Sequence, residues 1–190
     1  MKIVLGDLWQ VEAKYCVIST NGTVSYNGNA VMGKGVALQA HNRYSGLRKL
    51  LGQLILTQGN IVHLIPRYNL VAFPTKHHFS KRADIDLIQQ SVKELTNLAE
   101  QHSDCTFAMP VPGIGAGQLS IEQVWPLLRS LPDNVYVVVR STETYQAVKK
   151  LGESMPTRSV SEHWHCRECG SCLANISGQL VCLDCSENPV

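Results

Sequence analysis

The sequence predicts a three-layer α/β/α domain with a mixed central sheet of about six strands. Apolar runs of strand length alternate with segments whose apolar residues recur every three or four positions. Residues 15–19 are mostly apolar, as expected for a strand that is buried on both faces. Residues 60–65 and 69–73 are two successive strand-like runs separated by a short turn. This hairpin-like pair breaks strict strand–helix alternation, which makes the predicted sheet mixed.

The first half of the chain is assigned from short apolar runs and their spacing. Residues 2–5 predict an edge strand, which Gly6 and Asp7 end. A helix is predicted over residues 35–44, after a glycine-rich loop. Four leucines then continue at helical spacing: Leu47, Leu50, Leu51 and Leu54. Residues 73–79, after the second strand of the hairpin, are predicted to be a loop.

The second half contains the clearest helix, which begins at Asp84. Its apolar residues share one face: Ile85, Ile88, Val92, Leu95 and Ala99. Ser120 and Gln123 form a capping-box pattern for another helix, which Pro126 should end or kink. Two further strands are predicted over residues 105–109 and 135–139. A last helix, capped by Ser141, is predicted over residues 142–151.

The composition limits the classes of function. The 190 residues are enough for one domain with or without a small appendage, and the formal net charge is only +2. No basic patch is visible in the sequence, so nothing indicates a dedicated polyanion binder. No apolar segment has membrane length, and the N-terminus lacks the apolar core of a signal peptide. We therefore expect a soluble, cytoplasmic protein without a membrane partner. Cys16 and Cys105 lie in apolar runs and are expected to be buried, unpaired thiols.

The last part of the chain has a metal-binding pattern. Residues 152–162 have the composition of a linker. Four cysteines in two Cys-x2-Cys pairs then predict a closed tetrahedral site for one structural zinc ion: Cys166, Cys169, Cys182 and Cys185. The predicted organisation is a domain over residues 1–151, the linker, and a zinc ribbon over residues 163–190. The ribbon is a candidate for contact with nucleic acid or protein. Three further residues are alternative ligands: Cys172, His163 and His165.

Two glycine-rich loops follow strand-like runs, at residues 21–36 and 110–117; we call them the first and second glycine loops. Glycines accept positive φ and let backbone N–H groups face outward. The helix after the first loop adds the positive end of its dipole. Either loop alone has an ordinary surface turn as its alternative. Together they predict a diphosphate ligand at the carboxyl ends of the strands.

Five short motifs lie within about residues 1–150: Gly6-Asp7-Leu8, Ser19-Thr-Asn-Gly22, Asn27-Gly-Asn-Ala-Val-Met-Gly-Lys-Gly35, Phe73-Pro-Thr-Lys76 and Pro112-Gly-Ile-Gly-Ala-Gly117. Together they resemble the macrodomain family, in the branch that includes the terminal ADP-ribose protein glycohydrolase and the DarG antitoxin. The most specific of them are Ala-Val-Met-Gly-Lys-Gly at the end of the first glycine loop and Phe-Pro-Thr-Lys.

The resemblance implies an ADP-ribose site without a catalytic cofactor. Asp7 would accept a hydrogen bond from the adenine amino group beside Leu8, although Asp7 could instead cap a turn. Asn21 would lie near the distal ribose. The ribose and the diphosphate would be cradled by the backbone N–H groups of Met32, Gly33, Lys34, Gly35 and Val36. The second glycine loop would close over the diphosphate with Gly113, Ile114, Gly115, Ala116 and Gly117.

Lys76 is the catalytic candidate that the resemblance implies, acting at the anomeric carbon of the distal ribose. A neutral amine could attack the sugar, and a charged one could stabilise the departing group. The alternative is a surface lysine in a loop. His77 and His78 could carry protons, but adjacent residues of an extended loop point in opposite directions. The acidic residue that follows the second glycine loop in the protein glycohydrolase has no counterpart here, since Glu122 falls inside a helix.

These residues together predict an ADP-ribosyl hydrolase that removes ADP-ribose from modified DNA or protein. The alternatives are a non-catalytic ADP-ribose reader or sink and a phosphatase acting on ADP-ribose 1″-phosphate.

Overall fold

The computed structural model describes residues 1–153, 174–176 and 179–181. The chain divides into two compact units, Met1–Leu151 and Gly152–Val190. The first unit has six strands: β1 (Lys2–Leu5), β2 (Tyr15–Asn21), β3 (His63–Ile65), β4 (Leu70–Lys76), β5 (Phe107–Pro110) and β6 (Val135–Val139). Its helices are α1 (Gly35–Arg43), α2 (Leu47–Gln58), α3 (Ile85–Gln101), α4 (Ile121–Leu128) and α5 (Thr142–Glu153). In the second unit, β7 (Ala174–Ile176) and β8 (Gln179–Val181) pair antiparallel.

The six strands form one mixed sheet in the order β1-β6-β5-β2-β4-β3. The first five strands in this order are parallel to their neighbours. Only β3 runs antiparallel, as a hairpin partner of β4. The predicted edge strand, hairpin and mixed sheet are therefore confirmed. The carboxyl ends of five strands consequently meet at one edge of the sheet, where ligands collect in open α/β sheets.

Helices cover both faces of the sheet because successive strand residues point in opposite directions. Val17 on β2 belongs to a core cluster that includes Ile88 from α3 and Trp125 from α4. The next residue, Ile18, belongs to a second cluster with Ala40 from α1 and Leu51 from α2. The prediction of a sheet between two helix layers is confirmed by these two cores.

The helix starts follow the predicted capping residues. The Asp84 carboxylate accepts hydrogen bonds from the backbone N–H groups of Asp86 and Leu87 at 2.9 and 3.1 Å. Ser141 Oγ accepts one from Thr144 N at 3.1 Å. The Gln123 side chain accepts one from Ser120 N at 3.0 Å, as in a capping box. Pro126 does not stop α4 at once, because the helix continues to Leu128.

The predicted loop over residues 73–79 is wrong in its first half, because β4 continues to Lys76. Pro74 is tolerated inside this buried strand next to an irregularity of the ladder. Thr20 pairs with Pro74, whereas the next residue, Asn21, pairs with Lys76. The extra residue, Thr75, lies in a β-bulge and donates its hydroxyl to Thr20 O at 3.1 Å.

The cysteines of the first unit are less buried than predicted. Cys16 and Cys105 are both free thiols, but each is only partly buried. The predicted zinc ligands lie outside the described residues. No helix within residues 1–153 is long and apolar enough to cross a membrane.

Candidate functional site

A cleft of about 920 Å³ lies at the carboxyl edge of the sheet. Its wall includes every predicted ADP-ribose-binding residue except Met32: Asp7, Leu8, Asn21, Gly33, Lys34, Gly35, Val36, Gly113, Ile114, Gly115, Ala116 and Gly117. Lys76 also lines it. Met32 is 3% exposed and packs in the core beneath α1 and α2. The fold therefore brings all but one of these residues together, and their binding roles stay predictions.

The first glycine loop is held in place by Asn21 at the end of β2. The Asn21 amide donates to Val31 O at 2.8 Å, and its oxygen accepts from Thr23 N at 3.0 Å. Most of its hydrogen-bonding capacity therefore shapes the loop. Gly35, with φ of +58°, begins α1 directly after the exposed Lys34. The positive end of the α1 dipole thus lies at the cleft, where an anion is favoured.

The second glycine loop folds back on itself through Gly113, whose φ is +79°. Gly113 O accepts a hydrogen bond from Leu119 N at 3.0 Å. Gly117 packs against the backbone of Gly113, and its carbonyl accepts from Ala83 N at 2.9 Å. The loop is therefore closed by its own backbone contacts and anchored next to α3.

Lys76 connects the two glycine loops across the cleft. Its Nζ donates to Ala116 O in the second loop at 2.6 Å. Its carbonyl accepts from Gly22 N and from the Asn60 amide, both at 3.1 Å. Burial lowers the pKa of the Lys76 ammonium, and the nearby charge of Lys34 lowers it further. The environment thus favours the neutral amine more than water does.

Asp7 has two roles at the opposite end of the cleft. One carboxylate oxygen accepts from Trp9 N at 2.8 Å and caps the 3₁₀ turn Leu8–Gln10. The other oxygen lies 3.8 Å from Arg140 Nη2. Arg140 directly follows β6 and lines the cleft, although the sequence reasoning missed it. Its position after a parallel strand was the available signal.

The two histidines after Lys76 make contacts away from the cleft. His77 Nε2 lies 3.5 Å from an Asp84 carboxylate oxygen, and His78 Nδ1 lies 2.8 Å from Ser80 Oγ. Neither histidine lines the cleft. Phe79, which the sequence reasoning missed, does line it and is 51% exposed. Its backbone N–H is held by Thr23 Oγ1 at 3.0 Å.

Asp7 is the single carboxylate that lines the cleft among the described residues. It follows β1, which is four strand positions away from β4 and Lys76. At a strand spacing of about 4.8 Å, this separation is roughly 19 Å. Glu122 is exposed on α4 and does not line the cleft. Within residues 1–153, no carboxylate of the cleft lies near Lys76.

Within the part of the chain that the structure describes, no group of three or more His, Cys, Asp or Glu side chains could hold a metal ion. The predicted ligands Cys166, Cys169, Cys182 and Cys185 fall outside that part, so the zinc site stays a prediction.

Solved macrodomains share this fold. The macrodomain of Mycobacterium tuberculosis DarG is 23% identical, with a TM-score of 0.61 over 74% of this chain and 98% of that one. The macrodomain of Thermus aquaticus DarG is 24% identical, with a TM-score of 0.60 over 74% and 97%. Thermosipho africanus DarTG, solved in complex with ADP-ribose, is 19% identical, with a TM-score of 0.61 over 77% of this chain and 44% of that one. No protein-family model and no curated protein matches the sequence.

Proposed function

We propose that the chain is an ADP-ribosyl hydrolase that binds an ADP-ribose unit in the cleft and cleaves its bond to modified DNA or protein. The similarity to a fold solved with ADP-ribose supports the choice of ligand. The adenine is assigned to the end with Asp7 and Arg140. The diphosphate is assigned to the space between the two glycine loops, and the distal ribose to the end with Lys76.

The observation that carries the proposal is the position of the Lys76 amine between the two glycine loops. Its Nζ lies 2.6 Å from Ala116 O and lines the cleft. A ribose bound beyond the diphosphate would bring its anomeric carbon to this amine. The lowered pKa increases the fraction of neutral, nucleophilic amine at a given pH.

The proposed reaction has two steps. In the first, neutral Lys76 Nζ bonds to the anomeric carbon while the bond from that carbon to the target breaks, and the departing atom takes a proton from the amine. In the second, water bonds to the anomeric carbon while the bond from that carbon to Nζ breaks; one hydrogen of the water stays in the new hydroxyl of ADP-ribose, and the other returns to the amine. Neither step uses a carboxylate. This agrees with the cleft, where Asp7 is the single carboxylate among the described residues.

One observation favours a non-catalytic ADP-ribose reader as the second candidate. Asp7, the cleft carboxylate within residues 1–153, is roughly 19 Å from Lys76 by strand spacing. No carboxylate of the described cleft is therefore placed to activate water at the ribose end. A reader would use the same binding contacts without turning over a substrate.

Turnover separates the two candidates. Wild-type chain and Lys76→Ala are incubated with ADP-ribosylated single-stranded DNA and with ADP-ribosylated protein, and ADP-ribose binding is measured by calorimetry. The hydrolase predicts release of ADP-ribose by the wild type, and its loss in Lys76→Ala while binding persists. Lys81→Ala, which removes another cationic side chain from the cleft wall, is the matched control. Tight binding with no turnover of any substrate would establish the reader instead, and equal turnover by Lys76→Ala would refute the role of Lys76.

A further inference from the structure

A second cavity, of about 530 Å³, lies outside the proposed ADP-ribose cleft. Trp9, Tyr44 and Tyr68 contribute to its wall, and each of these side chains is half-buried. The rings of Trp9 and Tyr44 have centroids 6.4 Å apart, and those of Tyr44 and Tyr68 are 5.3 Å apart. We call these three residues the aromatic ladder.

Hydrogen bonds fix both ends of the aromatic ladder. Trp9 Nε1 donates to Gln39 Oε1 at 2.7 Å, and the Tyr68 hydroxyl donates to Ser45 O at 2.6 Å. The rings are therefore held in place before any ligand arrives. A preformed aromatic wall of this kind is suited to stacking a planar group, since little ordering remains to be done on binding.

Three cationic side chains surround the aromatic ladder. The Arg43 guanidinium lies 4.5 Å from the Trp9 ring centroid, and that of Arg67 lies 5.4 Å from the Tyr68 ring centroid. Arg67 and Lys14 line the cavity, whereas Arg43 lies beside it over the Trp9 ring. These residues come from three separate segments, which is why no basic patch is visible in the sequence.

No carboxylate forms an ion pair with any of these three cations among the described residues. Within the same part of the chain, no Asp or Glu lines the cavity. Burial raises the pKa of the Cys16 thiol in the wall to about 12, so the thiol adds no negative charge. Unpaired cations beside aromatic rings form the combination that binds a base by stacking and its phosphate by charge.

We propose that this cavity is a second ligand site, for a nucleotide whose base stacks on the aromatic ladder and whose phosphate meets Arg67 and Lys14. The nucleotide is supplied either by a single-stranded polynucleotide or free in solution. The site shares only Leu8 with the wall of the ADP-ribose cleft. The proposal concerns a different cavity and does not depend on hydrolysis in the first.

The test uses the full chain with saturating ADP-ribose, which occupies the first cleft. Fluorescence anisotropy follows a short fluorescein-labelled single-stranded DNA, and calorimetry follows AMP. Tyr68→Ala should weaken binding about fivefold or more, as expected for a lost stacking partner. Arg67→Ala should reduce the slope of log affinity against log salt by about 0.7, the contribution of one phosphate contact on a single strand.

Matched controls come from elsewhere in the first unit. Tyr26→Ala removes a fully exposed tyrosine, and Lys149→Ala removes a cation that lies over the Tyr145 ring. Both controls should bind like the wild type. Tyr68→Phe keeps the ring and should retain most of the affinity, while melting curves confirm that each variant is folded.

The arms distinguish the two sources of the nucleotide. DNA binding that Tyr68→Ala weakens assigns the site to a polynucleotide, and AMP binding with the same sensitivity and no DNA binding assigns it to a free nucleotide. The proposal is overturned if neither probe binds, or if Tyr68→Ala and Arg67→Ala bind as Tyr26→Ala and Lys149→Ala do. Calorimetry with ADP-ribose alone reports separately on the first cleft, so failure there leaves this test intact.

Discussion

Replacing Gly117 by alanine should disrupt the second glycine loop without touching a side chain. A Cβ at this position would lie 2.7 Å from the carbonyl carbon and the Cα of Gly113, and closer still to the Gly113 oxygen. Ordinary van der Waals contact begins at 3.4 Å, so the loop must open by at least about 0.7 Å. Overpacking of this kind costs about 1–3 kcal/mol. For a domain of this size, a loss of about 2 kcal/mol lowers the melting temperature by roughly 4–8 °C.

Thermal unfolding of Gly117→Ala and Gly115→Ala checks this reasoning. Gly115 lies two residues earlier in the same loop, where an added Cβ would meet nothing within 4 Å. Gly115→Ala should therefore melt at the wild-type temperature or slightly above it, because alanine restricts the unfolded chain. Gly117→Ala should also bind ADP-ribose about tenfold or more weakly, since the loop is displaced. The reasoning fails if the two variants melt at the same temperature.

Three further predictions concern other parts of the chain. Turnover should rise with pH as the Lys76 amine loses its proton. The free energy of unfolding should also rise with pH between the lowered pKa of Lys76 and the ordinary value of 10.5, because the unfolded chain holds more protons in that range. The same pH–rate and pH–melting profiles in Lys76→Ala would contradict both expectations. Gly52→Ala should lower the melting temperature despite the usual helical gain of about 1 kcal/mol, because its Cβ would lie 3.0 Å from the carbonyl carbon of Gly28; a raised melting temperature would show that α2 can move away. Metal analysis of the full chain should find one zinc per chain, retained in Cys172→Ser and lost in Cys166→Ser, and a metal-free wild type would refute the zinc ribbon.

The fold could be predicted from the sequence where local patterns and burial agree. The strand at residues 135–139 is an unbroken apolar run, and it became the buried β6. The spacing from Ile85 to Ala99 gave one apolar face, which packs in the core as α3. The end of β4 was missed because Pro74 is a strong local breaker. Only the neighbouring strand and the bulge opposite Asn21 make the longer strand possible, and such pairing is not visible in the local sequence.

The site was predictable in its backbone and less so in its side chains. The glycine loops are recognisable because positive φ and close approach require glycine, as at Gly113. Arg140 and Phe79 were missed because neither belongs to a recognisable motif, although Arg140 directly follows a parallel strand. Met32 was expected to offer its backbone N–H to the cleft, and its side chain packs in the core, so that its role in binding stays a prediction. The direction of a side chain in a loop depends on tertiary packing that the sequence does not display.

The β-bulge at Thr75 controls the direction of the Lys76 side chain at the end of β4. Side chains alternate between the faces of a strand, so a shift of one residue exchanges the two faces. The bulge takes up one residue between Pro74 and Lys76 and thereby decides to which face of the sheet the Lys76 side chain points. If Thr75 were instead taken into a regular ladder, Lys76 would lie one position beyond Asn21, and its side chain would turn to the opposite face of the sheet. For a designer transplanting this cleft, the count of residues before the lysine matters as much as the lysine.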